Sequence, residues 1–188
     1  MAWISRVLRA SSLSIGVPAA ILAAVSFLAL DLDLALISTA FALAMLAIAI
    51  SDARSFIVPD VLSLPAIPAG LLVSGYINDS GQPSWVILEH LVAAILSGLL
   101  LLAIKEAYSA IREREGLGLG DVKLAGVAGA WTGLTGFSQA ILLASIVALV
   151  VISALNASSA KTYRRTTPVP FGAYFAPSIW LIWFAQHA

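Results

Sequence analysis

Apolar residues run through this chain in long blocks, with short polar stretches between them. Seven blocks, at about 11–30, 34–51, 61–77, 84–104, 121–136, 138–156 and 171–186, predict helices of the membrane-spanning kind. The fifth and seventh are short for a hydrocarbon layer of ~30 Å, so the pattern supports six or seven spans. Several blocks carry Gly or Pro: Pro18, Pro65, Pro68, Gly98, Gly126, Gly129 and Pro177. In a bundle such residues permit close backbone approach or kinks, and neighbouring helices re-satisfy the freed carbonyls. No internal repeat, low-complexity tail or domain linker interrupts the pattern. The expected fold is all-α, a polytopic membrane helix bundle forming a single domain over residues 1–188.

Composition supports lipid as the solvent. Of 188 residues, 61% are hydrophobic and only 11% charged, against roughly 25% charged in a soluble domain. One small globule cannot bury that much apolar side chain. Ten basic and ten acidic residues give a formal net charge of zero, which lacks the basic footprint that nucleic-acid binding needs. The chain has no cysteine, so disulfides, thiol nucleophiles and thiolate metal sites are excluded. Its two histidines, His90 and His187, show no metal-ligand spacing, and neither a metal nor a cofactor is expected.

The charges also predict an orientation. With the N-terminus in the cytoplasm and seven helices threaded, Arg6, Arg9, Arg54, Lys105, Arg112, Arg114, Lys123, Lys161, Arg164 and Arg165 all fall on the cytoplasmic side. Asp31, Asp33 and Asp79 fall on the other. That is the positive-inside pattern. Arg6 and Arg9 before an apolar run also have a signal-peptide look, but an uncleaved first helix is the expectation here.

Threading brings two carboxylates to one depth. Asp52 ends the second helix and Asp121 begins the fifth, 69 positions later, on the same side. Two carboxyls sharing a proton can hydrolyse a peptide bond: one activates water as a general base, and the other protonates the carbonyl oxygen. Like charges at close range cannot both ionise, which separates acid from base. Gly116, Gly118 and Gly120 precede Asp121 and would leave room for an extended substrate strand. The helix dipole favours an anion at a helix start and disfavours one at a helix end. Asp121 is therefore expected to be the more acidic and Asp52 to hold the proton. The plainer reading stands beside this, because an Asp at a helix end is often only a cap or a solvated interface residue.

Three segments carry a family resemblance. The first is Asp52, with Pro59-Asp60 and Leu62-Ser63-Leu64-Pro65 after it. The second is Gly118-Leu119-Gly120-Asp121-Val122-Lys123-Leu124, followed by Gly129-Ala130-Trp131. The third is Pro170-Phe171-Gly172 with Ala176. Together they resemble the motif blocks of the type IV prepilin peptidases, which share Gly-x-Gly-Asp with presenilin-like intramembrane proteases. The resemblance implies Asp52 and Asp121 as the catalytic pair, with Gly118, Gly120, Lys123, Pro59 and Asp60 supporting the site or the substrate. It implies as substrates prepilins and pseudopilins, cut between a basic leader and an apolar helix on the cytoplasmic side of a bacterial inner membrane, with the pilus assembly machinery as a partner. Larger members carry a cysteine-containing insertion and also N-methylate the new terminus. This cysteine-free chain is similar to the small, peptidase-only branch of Flp/Tad-type pili.

Other polar residues read more quietly. Lys123 could steady Asp52 or a substrate carbonyl, or simply snorkel to water. Asp60 after Pro59 reads as a cap for the third helix. Residues 105–115 read as a solvated loop with three basic and three acidic side chains. Glu89 and His90 could form a proton relay, but their distance from the aspartates favours a structural role. Trp180 and Trp183 read as interface or packing aromatics. Two other functions stay open from the residues: a presenilin-like protease cutting within helices, and a small ion or proton transporter with the two aspartates as ligands.

Overall fold

The computed structural model describes residues 12–78, 81–112, 116–158 and 168–188. Among them are six helices and no strand: α1 (Ser12–Ala29), α2 (Leu32–Ser55), α3 (Asp60–Tyr76), α4 (Pro83–Arg112), α5 (Leu119–Ala157) and α6 (Gly172–His187). This is the all-α bundle expected from the apolar blocks. Helices α2, α4 and α5 are each long and apolar enough to cross a membrane, and α1 and α3 are shorter apolar helices. The chain is a multi-pass membrane protein. Large apolar side chains cover its outside, such as Leu72, Leu142 and Leu149, because lipid rather than water is what they meet.

Helix α5 sits at the centre. Its residues 124–132 are buried without a break, and most of them are small. Gly129 lies so close to α4 that a Cβ there would meet the Ala93 carbonyl at 2.5 Å. Small residues let helix backbones approach closely where no hydrophobic driving force joins apolar helices in lipid. Near the far end of this segment, Trp131 stacks on Phe41 of α2 with ring centroids 3.7 Å apart. Its indole N–H donates to the Ala66 carbonyl of α3 at 2.7 Å, and Trp183 of α6 packs edge-on to it. One aromatic cluster thus ties four helices. Trp180 and Trp183 are packing residues, both buried.

The sequence reading placed a helix boundary at about 137, and the structure places the break at Gly133. Its backbone, at φ 67° and ψ −177°, is non-helical inside α5, a region open almost only to glycine. A helix break frees carbonyls, and two side chains take them up. His90 Nδ1–H donates to the Ala130 carbonyl at 2.9 Å, and the Gln186 amide donates to the Thr132 carbonyl at 3.3 Å. His90 therefore has the structural role expected for it. Phe137, just past the break, packs against Phe175 in the first turn of α6. The chain beyond Gly133 thus doubles back along the bundle, so α5 supplies both the fifth and the sixth of the predicted spans.

Three other boundaries move. Helix α2 continues to Ser55 and α5 begins at Leu119, so Asp52 and Asp121 each lie within a terminal turn rather than at its edge. Helix α4 runs to Arg112, so residues 105–112 are helix and not the expected loop. Arg6, Arg9, Asp79, Glu113, Arg114, Glu115, Lys161, Arg164 and Arg165 lie outside the described residues. The described basic residues Arg54, Lys105, Arg112 and Lys123 all fall at the Asp52–Asp121 end of the bundle. Asp31 and Asp33, at the start of α2, fall at the other.

Candidate active site

Asp52 and Asp121 come from different helices and line one cavity of about 460 Å³ at that end of the bundle. Both are almost fully buried, with 6% and 8% of their surface exposed. Burial sets both apart from solvated interface residues, although Asp121 is also a helix cap. A buried carboxylate needs hydrogen-bond donors, and each has a backbone one. Gly118 N–H donates to Asp121 Oδ2 at 3.3 Å, while Asp121 N–H returns to the Gly118 carbonyl at 3.1 Å. Asp121 thus sits at the third position of α5 and closes its first turn as half of a capping box.

Asp52 is held from further away in sequence. Ala173 N–H, in the first turn of α6, donates to Asp52 Oδ2 at 2.8 Å, across 121 positions. Gly172 lies against the same carboxyl: a Cβ there would stand 3.0 Å from Oδ2 and 3.1 Å from Cγ. In the sequence Pro170-Phe171-Gly172 carries only a family resemblance. Its contact with Asp52 was not legible, although the motif was the signal that could have pointed to it. The contact also corrects the expected asymmetry of the pair. Asp52 closes α2, but it faces the N-terminus of α6, just as Asp121 faces that of α5. Asp52 thus lies between the negative end of α2 and the positive end of α6, and the two dipoles oppose each other there.

The remaining expectations divide. Gly118, Gly120 and Lys123 line the cavity; Pro59 and Asp60 do not. Gly120 has a packing reason beyond open backbone, since a Cβ there would meet Val58 Cγ2 at 2.7 Å. Pro59 is the N-cap residue of α3, and its carbonyl accepts from Leu62 N–H, Ser63 N–H and Ser63 Oγ. Asp60 is the first helical residue, one position past the cap. It pairs instead with Lys123 Nζ, because α5 brings that ammonium to the first turn of α3. Lys123 therefore neither contacts Asp52 nor merely snorkels; it joins two helix starts at the edge of the cavity. Among the described residues no group of three or more His, Asp or Glu could hold a metal ion. Phe56, Ile57, Val58, Leu117, Val169 and Phe171 complete the lining.

Residues 39–153 match the model of the type IV leader peptidase family. The chain is similar to the prepilin leader peptidase/N-methyltransferase of Xanthomonas campestris pv. campestris, with 33% identity over 150 residues, covering 80% of this chain and 49% of that protein. It is also similar to the protein of that name from Pseudomonas aeruginosa, with 32% identity over 145 residues, covering 76% and 47%. The Aeromonas salmonicida protein of that name is 28% identical over 144 residues, covering 74% and 46%. The chain spans about half the length of the curated relatives it matches. No solved structure gives a significant match.

Proposed function

Because the chain belongs to the type IV leader peptidase family, we propose that it is a membrane-embedded aspartyl endopeptidase that removes the basic leader of prepilins or pseudopilins. The observation that carries the proposal is the pair itself: two buried carboxyls, 69 residues apart, line one cavity. Within one cavity the charge on either carboxyl disfavours charge on the other, which separates an acid from a base. The ionised carboxyl takes a proton from a water molecule, and the water oxygen bonds to the scissile carbonyl carbon. The protonated carboxyl gives its proton to the carbonyl oxygen. The tetrahedral adduct then collapses: the C–N bond breaks, the leaving nitrogen takes the proton that the first carboxyl gained from water, and a hydroxyl of the adduct gives its proton to the second carboxyl, which restores the pair. Ala173 N–H and Gly118 N–H fix the two carboxyls for this work. All of it belongs to one domain, since α2, α5 and α6 each supply a part.

The site opens at an end of the bundle, where Phe56 and Leu119 are more than half exposed. That position favours a cut at the boundary between a polar leader and an apolar helix over a cut within a span. The described cations lie at the same end, which favours placing it in the cytoplasm of a bacterial inner membrane. A prepilin, the lipid bilayer and the pilus assembly machinery are the partners this reading calls for.

The test is coexpression of a Flp-type prepilin with wild type, Asp52→Ala or Asp121→Ala, read by gel shift and mass spectrometry. Wild type removes the leader, and each single variant loses activity by about 10³-fold or more while still inserting in the membrane. Full-rate cleavage by either variant would sink the two-aspartate mechanism.

A further inference from the structure

Phe56 occupies a conformation its side chain does not favour. It ends α2 at φ 53° and ψ 33°, the only non-glycine with positive φ among the described residues. Bulky L-residues avoid this left-handed region because Cβ crowds the following carbonyl. Helices that end this way usually place glycine there. The turn needs only backbone: Phe56 N–H donates to the Asp52 carbonyl at 2.9 Å, and glycine would do the same. Core burial does not hold the ring either, since Phe56 is 54% exposed.

The neighbours on both sides pin the strained residue. Ser51 Oγ–H donates to the Ile57 carbonyl at 2.7 Å. Val58 is buried and fills the space over Gly120. Next to these anchors, Phe56 lines the cavity that holds Asp52 and Asp121. Backbone strain kept in place by its surroundings clusters at active sites and ligand clamps, and here it lies at the cavity with an apolar side chain exposed.

We propose that Phe56 is a substrate-positioning residue, its ring the contact for the apolar segment that adjoins the scissile bond. The ring offers an apolar face beside two buried carboxyls, so it suits a substrate that is apolar next to the cleaved bond. An aromatic contact of this size, desolvated on binding, holds the chain in register with the carboxyls. This inference rests on the peptidase reading above and adds to it the chemistry of one contact.

The test uses the full chain in detergent with a synthetic peptide of a basic leader followed by an apolar segment. Steady-state kinetics and thermal unfolding are measured for wild type, Phe56→Gly and Phe56→Leu. Phe56→Gly is expected to unfold at the same or a higher temperature, because it relieves the left-handed strain. Its KM should rise about tenfold, the loss that truncating one well-placed aromatic contact gives, with kcat near the wild-type value. Phe56→Leu, which keeps apolar bulk, should recover most of the KM. A wild-type KM in Phe56→Gly overturns the proposal, as does a lowered unfolding temperature with kcat and KM both disturbed, which would make the ring structural. Failure of the wild type to cleave defeats the peptidase reading and this one with it, and is told apart by the absence of any product.

Discussion

Asp52 shows how much of a site rests on contacts remote in sequence. Asp52 is buried where α2 packs on α6, and its hydrogen bond comes from a backbone N–H 121 positions away. Gly172 makes that approach workable, since any Cβ there begins to press on the carboxyl. Gly172→Ala should therefore lower kcat by about tenfold, since small misplacements of reacting groups are costly. Its unfolding temperature should barely change, because alanine favours a helix where glycine does not. Kinetics and a melting curve on one sample check both halves, and an unchanged kcat would mean that α6 does not hold Asp52 in working position. The pair was legible as two aspartates in two motif blocks, because each block is local. Their fixing was only partly legible: Gly118, three residues from Asp121, was in view, and Ala173 was not. Asp60 was misread as a cap because nothing near it in sequence announces Lys123, which α5 delivers from 63 positions away.

At the scale of one element, α5 carries the most information. Its first half is a buried rod of small residues, and its break is a single glycine. The break costs backbone hydrogen bonds, and His90 and Gln186 restore them from α4 and α6. Gly133→Ala should destabilise the protein by about 1–3 kcal/mol, from backbone strain alone, because the nearest atom to the added Cβ is 3.9 Å away. His90→Ala should cost about 1–3 kcal/mol by leaving the Ala130 carbonyl unpaired in the interior. Denaturant unfolding in detergent measures both, and neither variant should abolish leader removal, since the break lies at the far end from the aspartates. An apolar run shows that a helix continues, but a run of small residues hides where it turns. That is why the boundary was read four residues too late.

For the whole molecule the open question is which end faces which compartment. The absence of cysteine makes it directly measurable. Single cysteines at Gln82, before α4, and at Arg112, at its end, can be labelled in whole cells with a membrane-impermeant maleimide. The cysteine at 82 should react and the cysteine at 112 should not, which would put the aspartate end inside. The reverse pattern would reject the cytoplasmic placement of the site. The charge pattern and the fold agree on the premise, since the described cations gather at one end of the bundle.

The sequence by itself determined the solvent, the class of fold, the approximate spans and the two carboxyls, because hydropathy and local motifs are written in neighbouring residues. Family membership follows from the same local blocks, and the matched stretch, residues 39–153, stops before α6. Only the tertiary structure decided that α6 delivers a donor to Asp52, that Asp60 pairs with Lys123, that Val58 explains Gly120, and that Phe56 is strained at the wall of the cavity. Each of these depends on how helices pack. Packing is settled by complementary shape among residues far apart in the chain, and no periodicity along the sequence records it.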